Sequence, residues 1–358
     1  MQPFSLEERL RDVSKDRPVP CHLQIIDIIE KAIKEGVLRL GERLPSERAL
    51  SEICGVSRPI VRLALDDLAR NGYLQKVPGK GAFVAPQPHK RTIGCVFPPV
   101  EPHIRYPWSF VLAQAITEEV RACGFDYITY LLTSAQDEAR MRRDVEEGKI
   151  EGLLTTTRIE EPIPDTPTVY SAVGRHYTVD IDWFYLTYQA AALLIQHGKQ
   201  NIALLTPYWT KEINGQHIVR GYQDALRDHN VPFRKEWVVD SRQEEGQGPE
   251  EAGAKAVRQL WENDLHPDGI IFADDFQALG GTQMLVDLGV EIPDEVMVAS
   301  HMNKGYTLSY PVPVWGFRID PKAIAQEMVT MLDLLMRGVE PPNKVVSVRP
   351  SVDLSSGV

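Results

Sequence analysis

The sequence predicts an α/β protein of at least two domains, in which a small helical domain with one hairpin precedes a larger domain of parallel sheets. The first observation is length, since 358 residues exceed the roughly 250–300 that one hydrophobic core usually serves. The second is pattern. Helical periodicity dominates the chain up to residue 72, whereas from residue 92 onward apolar strand-like runs alternate with helical segments. Such alternation indicates parallel sheets.

Three helices are predicted in the N-terminal domain. The first covers residues 23–35, where isoleucines recur at helical spacing, and Gly36 ends it. Ser46 and Ser57 precede the second and third helices as N-caps, because a serine oxygen can accept hydrogen bonds from the free N–H groups of a first turn. A short turn around Gly55 separates these two helices, which indicates a helix-turn-helix.

A hairpin, or wing, follows the third helix. Residues 73–77 and 82–85 predict two short strands around the turn at 78–81, which is rich in glycine. On the third helix Arg58 and Arg62 are four residues apart, so they share one face. We interpret the domain as a winged helix-turn-helix that binds DNA. The alternative is a small α/β domain with no DNA role.

Charge is distributed unevenly along the chain. The whole chain carries a net charge of −11, but the segment from Arg43 to Arg91 contains nine Lys and Arg against four acids, a local excess of +5. This pattern is typical of a protein that meets phosphate with one domain only.

Other signals exclude several classes of protein. The four cysteines form no CxxC pair and no HExxH occurs, so we expect no metal and no cofactor. No apolar run reaches the ~18 residues of a membrane-spanning helix, and the N-terminus carries charge where a secretory signal would be apolar. We expect a cytoplasmic protein that does not bind a membrane.

The string GERLPSERALSEICGVSRPIVRLALDDLARNGYLQKVPGKGAFVA within residues 1–85 resembles the winged-helix head of the GntR family of bacterial regulators. The markers are LPSER, VSR, VR.AL..L...G and GKGAFV, in that order. The resemblance implies a double-stranded DNA operator as partner, contacted from two helices, with the wing tip in the minor groove. The residues implied in DNA binding are Arg48, Ser57, Arg58, Pro59, Arg62, Gly79, Lys80 and Gly81.

One position departs from this pattern. Pro59 and Ile60 follow VSR, where the family usually has two small or hydroxylated residues. Proline is accepted in a first helical turn, but a hydroxyl contact is lost, so we expect an unusual operator sequence. Two roles stay open for Arg58, namely bidentate reading of a guanine and a grip on phosphate.

The larger domain, residues 92–358, follows a polar linker at 86–91. Its segments IGCVFPP, IEGLLTT, VDIDWFYLTYQAAALLIQHGKQNIALLT and ADDFQALGGTQMLVDLGVEIPDEVMVAS resemble the effector domain of LacI-type regulators, which is similar to periplasmic sugar-binding proteins. With a GntR-type head, this is an arabinose-repressor-like architecture. The resemblance implies two α/β lobes with a ligand between them: 92–184 with 313–338, and 185–312 with the C-terminal tail.

Ligands of such folds bind at the C-terminal ends of parallel strands, which selects the residues just after each predicted strand. These residues are aromatic with a few polar groups, as expected of a small-molecule site. Aromatic faces stack on flat rings, and carboxylates and amides bind hydroxyls. The predicted effector-binding residues are Tyr106, Trp108, Arg158, Trp183, Tyr185, Arg220, Asp274, Phe276, His301 and Asn303.

Two positions depart from the sugar-binding pattern. LacI-type sugar binders usually carry an arginine where this chain has Ile218 and an aspartate where it has Met302. Asp274 remains, and Arg220 or Arg158 can compensate. We expect a sugar or sugar-like effector, and a more apolar effector stays open.

The sequence therefore predicts an effector-controlled transcriptional regulator, a repressor in particular, that acts as a homodimer. One alternative is a cytoplasmic small-molecule-binding protein without a regulatory DNA role, and the attached head disfavours a transport-type binding protein. A carbohydrate-active enzyme would use paired carboxylates, either Asp274 with Asp275 or Asp180 with Asp182. No nucleophile elbow, P-loop or metal cluster accompanies them, so we expect no enzyme.

Overall fold

The structure of the chain, a computed structural model, divides into two compact units, which are described separately. The first unit comprises Met1–Thr92 with Gly124–Asp126, and the second comprises Ile93–Cys123 with Tyr127–Val358. Residues 86–90 of the predicted linker lie outside the described residues. The structure describes residues 5–17, 19–85, 91–99, 107–159, 161–171, 175–207 and 213–353.

The first unit is built from helices and a hairpin. Strands β1 and β2 pair antiparallel, and Arg43 adds a single bridge to Phe83. The three predicted helices are present, and α1 is an addition that the sequence analysis did not predict. The elements are α1 (Leu6–Leu10), α2 (Cys21–Lys34), α3 (Glu47–Cys54), α4 (Arg58–Arg70), β1 (Leu74–Val77) and β2 (Gly81–Val84).

Apolar positions at helical spacing form the core of this unit. Ile25, Ile26 and Ile29 of α2 are fully buried, and α2 packs on α4. The apolar pattern of α4 also predicts Leu63 in the core, but the structure exposes this side chain on the outer face of the helix. Gly55 makes the turn between α3 and α4 with a φ of 65°, a left-handed conformation that glycine adopts at little cost.

The second unit contains two sheets with helices between their strands. The first half of the elements is β3 (Thr92–Phe97), α5 (Pro107–Ala122), β4 (Asp126–Leu131), α6 (Ala135–Glu146), β5 (Gly152–Thr155), β6 (Thr168–Tyr170), β7 (Thr178–Ile181), α7 (Trp183–Gln196), β8 (Ile202–Thr206) and α8 (Ile213–Asp228). The second half is β9 (Val238–Asp240), α9 (Pro249–Glu262), β10 (Gly269–Phe272), α10 (Asp275–Asp287), β11 (Met297–Asn303), β12 (Trp315–Ile319), α11 (Pro321–Met336), β13 (Val345–Val348) and β14 (Ser351–Asp353).

The sheets confirm the predicted α/β class. One sheet has the strand order β13-β7-β6-β5-β3-β4, and the other has the order β14-β12-β11-β10-β8-β9. The strand pairs with a defined register run parallel, except for the antiparallel pair β12 and β14. Parallel strands need crossover helices that cover both faces, which explains why β8 and β10 are buried along their whole length.

The chain passes between the two sheets three times. It crosses after β7, after β12 and after β13, and α11 packs on α5 and β5 of the first sheet. The structure differs here from the predicted lobes. Residues 315–319, assigned by sequence to the first lobe, form β12 of the second sheet because their backbone pairs with β11. The C-terminal tail also divides, with β13 in the first sheet and β14 in the second.

The described residues contain neither a candidate membrane span nor a candidate metal site. No helix in those ranges combines the length and apolar character needed to cross a bilayer. The same ranges hold no cluster of three or more His, Cys, Asp and Glu side chains that could bind a metal ion.

Candidate nucleic-acid interface and effector site

A groove lies between α3, the start of α4 and the hairpin of the first unit. Its volume is about 450 Å³. We call this surface the head groove. Cationic side chains around exposed glycine backbone suit the phosphates of a nucleic acid, which bind both side-chain cations and main-chain N–H groups. The lining includes Arg43, Arg48, Arg58, Lys76, Gly79 and Gly81.

The side chains of Arg58 and Lys80 have no hydrogen-bond or ion-pair partner among the described residues. Arg58 is the first residue of α4 and is exposed. Lys80 is exposed at the hairpin tip, where its N–H donates to the Val77 carbonyl at 3.0 Å. Gly79 and Gly81 flank it with φ angles of 72° and 109°, values that residues with a Cβ rarely adopt. Both cations are therefore open to a ligand.

Two other predicted arginines are held by carboxylates of α3. The Arg62 guanidinium donates to Glu47, with an Nη2–Oε2 distance of 2.9 Å, and this hydrogen bond lowers the pKa of Glu47. Arg48 Nε lies 3.8 Å from Glu52 Oε1. Arg48 lines the head groove, whereas Arg62 reaches it only through Glu47, which is part of the lining.

The N-terminus of α4 has an unusual pattern of hydrogen bonds. Ser57 is the N-cap, but its hydroxyl makes no capping bond, unlike Ser46, which accepts from the Ala49 N–H at 3.2 Å. Pro59 lacks an N–H, and the Ile60 N–H donates to the Ser57 carbonyl at 3.1 Å. The Ser57 hydroxyl is thus left for an external partner.

In the second unit, buried polar side chains collect where β10 and β11 end. Asp274 follows β10 and caps α10, accepting a hydrogen bond from the Gln277 N–H at 2.9 Å. Burial raises the pKa of the Asp274 carboxyl to about 6; His301 opposes this shift and the Asp275 carboxylate adds to it. A buried carboxyl that titrates so high is typical of binding and catalytic sites.

Asp275 is the centre of a hydrogen-bond network. Its Oδ2 accepts from Tyr306 Oη at 2.6 Å and from Asn303 Nδ2 at 3.0 Å. Tyr310 Oη donates to the Asp275 main-chain carbonyl at 3.3 Å. Burial raises the pKa of both tyrosines, so they remain protonated donors. His301 lies at the edge of the network, with Nε2 3.8 Å from Asp275 Oδ1.

A cavity of about 180 Å³ lies against this network. We call it the polar cavity. It combines a carboxylate, an amide, two phenols and a threonine with one arginine, and the remaining walls are apolar. The lining includes Asp275, Met302, Asn303, Tyr306, Tyr310 and Arg318.

Several buried side-chain atoms at the strand ends have no hydrogen-bond partner among the described residues. They are His301 Nδ1 and Asn303 Oδ1 on β11, Thr156 Oγ1 directly after β5 and Asn214 Oδ1 in the first turn of α8. Such an atom costs about 1–3 kcal/mol and therefore indicates water or a ligand. His301 and Asn303 lie at the carboxyl end of β11, and Thr156 and Asn214 lie after the carboxyl ends of β5 and β8. Ligands of open α/β sheets bind at these ends.

Five of the predicted effector residues come together in the structure. Asp274, His301 and Asn303 surround the ends of β10 and β11. The Trp183 ring meets His301 edge-on, with centroids 5.7 Å apart. Phe276 lies 6.2 Å from the ring of Tyr306.

The other predicted effector residues lie elsewhere or are not described. Arg220 points to solvent, three-quarters exposed, over the ring of Phe184. Tyr185 lies under the guanidinium of Arg349 at 4.8 Å. Arg158 is exposed after β5, and Trp108 is half-buried in the first turn of α5. Tyr106 lies outside the described residues.

The structure explains why an arginine is missing at position 218. Ile218 is fully buried, and its carbonyl accepts a hydrogen bond from Thr187 Oγ1 at 2.8 Å. Helices α7 and α8 pack closely here, and the side chain at position 218 belongs to the apolar core. Asn214, one turn earlier on α8, offers a polar atom instead.

Sequence reasoning missed Tyr306, Tyr310, Asn214 and Thr156, and it used Asp275 only for the enzyme alternative. The tyrosines lie in an irregular loop after β11 that carries no periodic signal. In the head it missed Arg43 and Lys76 as groove residues. The only sequence feature that pointed to these two residues was their charge within the basic segment.

Comparisons with known proteins match both units. Residues 22–84 match the model of bacterial regulatory proteins of the gntR family. Residues 191–354 match the periplasmic binding protein-like domain. The arabinose metabolism transcriptional repressor of Geobacillus stearothermophilus is 25% identical over 309 residues, which cover 79% of this chain and 82% of that protein. The chain is a transcriptional regulator whose head matches the gntR family and whose larger domain matches the periplasmic binding protein-like domain.

Solved structures support the fold of the effector domain. The transcription regulator CcpA of Lactococcus lactis has a TM-score of 0.62 at 18% identity, covering 75% of this regulator and 99% of that chain. The transcriptional regulator CelR, solved as its cellobiose complex, has a TM-score of 0.61 at 18% identity, covering 88% of the regulator and 100% of that chain. The arabinose metabolism repressor and CcpA are transcriptional regulators and not enzymes.

Proposed function

We propose that the regulator represses transcription as a homodimer by binding an operator through its heads, and that a sugar or sugar-like effector at the ends of β10 and β11 controls this binding. The observation that carries the proposal is the set of buried polar atoms without partners at the strand ends. Such atoms are satisfied by water or by a ligand, and their position at the strand ends favours a ligand. The head groove supplies the separate surface for DNA.

In the head, the side chains of Arg58 and Lys80 form no internal ion pair and are available to DNA. Arg48 also lines the groove and pairs only loosely with Glu52. We infer that α4 enters the major groove with Ser57, Arg58, Pro59 and Arg62 near its start. The hairpin tip would then follow the neighbouring minor groove. This assignment places the regulator in the cytoplasm, where chromosomal DNA is found.

The effector chemistry follows from the inventory of atoms. Asn303 Nδ2 is already engaged by Asp275 and Tyr306, so only Asn303 Oδ1 remains for a ligand. Asn214 Oδ1 and the Asp274 carboxyl also accept hydrogen bonds. A ligand with several hydroxyl groups supplies the matching donors. The structure of CelR with cellobiose supports a sugar.

Regulation requires that effector binds two arrangements of the regulator with different affinity, since a ligand shifts an equilibrium only by that difference. In a homodimer with two heads, a change in lobe arrangement would alter the fit of the heads to two operator half-sites. The sign of the effect is measured by adding effector to a preformed DNA complex.

The test uses two variants that separate the two surfaces. Arg58→Ala should abolish the mobility shift of promoter DNA and leave sugar-induced thermal stabilisation unchanged. Asn214→Ala should leave stability without ligand unchanged, because the amide oxygen has no partner to lose, and should reduce the stabilisation by sugar. Arg234→Ala, an exposed arginine outside both surfaces, is the control. Loss of both readouts in either variant would contradict the assignment.

A further inference from the structure

Arg43 is a cation of the head groove that is not among the residues implied in DNA binding by the resemblance. It lies before α3 and forms a single-residue bridge with Phe83 on strand β2, which attaches it to the wing rather than to the helices. Its side chain is exposed. Among the described residues it has no ion pair or side-chain hydrogen bond.

The guanidinium of Arg43 lies flat against the wing. A Cβ built on Gly81 would lie 3.3 Å from Arg43 Nε and 3.6 Å from Nη2. The absence of a side chain at Gly81 therefore makes room for this guanidinium at the base of the hairpin. Arg43 and Arg58 line the same groove, Arg43 from the wing side and Arg58 from the start of α4.

The position of Arg43 between helix and wing determines which part of a bound DNA duplex it contacts. When a helix occupies a major groove and a wing follows the adjacent minor groove, the sugar–phosphate strand that separates the two grooves must pass between them. In this head that space is the head groove. We propose that Arg43 is a phosphate-binding residue that grips this strand, an inference that rests on the DNA-binding function proposed above.

Two of the other three cations of the groove are partly neutralised, so Arg43 and Arg58 are the two with their full charge available to DNA. Lys76 pairs with Asp66, and Arg48 lies near Glu52. A cation without an internal partner neutralises a phosphate and releases the counterion condensed on the DNA there, so it contributes fully to the salt dependence. Because the contact is to phosphate, its effect is independent of base sequence.

The experiment measures binding of the full-length regulator to a mixed-sequence DNA duplex by fluorescence anisotropy over a range of salt concentrations. For Arg43→Ala, the slope of log K against log salt should become shallower by about 0.9 for each head bound. Arg43→Lys should retain most of the slope, because a lysine is also a point charge for phosphate. Arg39→Ala, an exposed arginine four residues earlier and outside the groove lining, should keep it.

An unchanged slope in Arg43→Ala, or an equal reduction in Arg43→Ala and Arg39→Ala, overturns the inference while the DNA-binding function stands. If the unsubstituted regulator shows no salt-dependent binding, the proposed function fails and the inference with it. Melting temperatures of the variants show whether the hairpin remains folded. A reduced slope with an unchanged melting temperature supports the contact.

Discussion

Arg62 on α4 is clamped by Glu47 on α3, with both Nε and Nη2 of the guanidinium donating to the carboxylate. The pair joins the two helices of the helix-turn-helix. It also places a negative charge in the lining of the head groove. The Glu47 carboxylate therefore fixes the orientation of Arg62, and it also cancels part of the positive charge that attracts DNA to the groove.

Glu47→Gln should strengthen non-specific DNA binding and weaken discrimination of the operator. Removing the carboxylate raises the local positive charge, so affinity for a mixed-sequence duplex should increase and its salt slope should steepen. Arg62 loses its fixed orientation, so the ratio of operator to non-specific affinity should fall. Anisotropy titrations with both duplexes measure this ratio. Glu52→Gln is the matched control, since Glu52 pairs only loosely with Arg48; a higher ratio in Glu47→Gln would contradict the prediction.

Asp274→Asn should remove a pH dependence of stability. The folded carboxyl has a pKa of about 6 against an ordinary 3.8. Between these two pH values the carboxyl is therefore protonated in the folded state and ionised in the unfolded chain. This group's contribution to stability therefore rises as pH falls through about 6 and levels off below about 4. As pH falls through this range, the free energy of unfolding of the unsubstituted regulator should rise by about 2–3 kcal/mol relative to that of Asp274→Asn.

Urea denaturation at about pH 7.5 and about pH 4.5 measures this shift. Asparagine still caps α10, because an amide oxygen accepts from the Gln277 N–H, so the comparison isolates the proton. An equal pH dependence in both proteins would show that Asp274 titrates normally.

Tyr306→Phe should destabilise the effector domain by about 1–3 kcal/mol, because it leaves the buried Asp275 carboxylate with one donor fewer. It should also weaken effector binding, since Asn303 loses one of its positioning contacts. Tyr310→Phe is the control. Its hydroxyl donates over a longer distance to a main-chain carbonyl, so its effect should be smaller. Chemical denaturation and thermal shift with sugar measure both effects.

Gly280→Ala should destabilise the second unit severely. Helices α9 and α10 pack so closely that a Cβ on Gly280 would overlap the Glu250 carbonyl, and main chain cannot move aside as a side chain can. A loss of several kcal/mol, about 3 or more, is expected for such overpacking. Gly248→Ala has its nearest neighbour at 3.5 Å and loses only a favourable N-cap residue of α9, so it should cost about 1 kcal/mol or less. Comparable losses in the two variants would contradict the packing argument.

Much of the fold was predictable because it rests on local signals. The isoleucines of α2, the serines before α3 and α4, and the glycines of the hairpin each specify backbone geometry within a few residues. The parallel sheets follow from alternation of strands and helices. The predicted lobe of residues 315–319 differs from the observed sheet because strand pairing depends on contacts distant in sequence. The local pattern of Trp315–Ile319 does not indicate whether it pairs with β11 or with a strand of the first sheet.

The site was predictable only where it follows the ends of strands. Asp274, His301 and Asn303 follow that rule and lie together. Tyr306 and Tyr310 reach Asp275 from a loop whose course depends on tertiary packing, so no pattern predicts them. Arg220 was added as a substitute for a missing arginine, and the structure places it over Phe184, because helix α8 turns that face to solvent.

The three passages of the chain between the sheets have a consequence for assembly of the effector domain. Neither sheet is made from one continuous stretch of sequence, so no single cut yields an intact half. A chain that stops after β12 would lack α11 and β13 and would leave the apolar side of the first sheet uncovered. Neither sheet can therefore be completed until the C-terminal strands have been synthesised. A frameshift near the C-terminus should prevent both sheets from folding correctly.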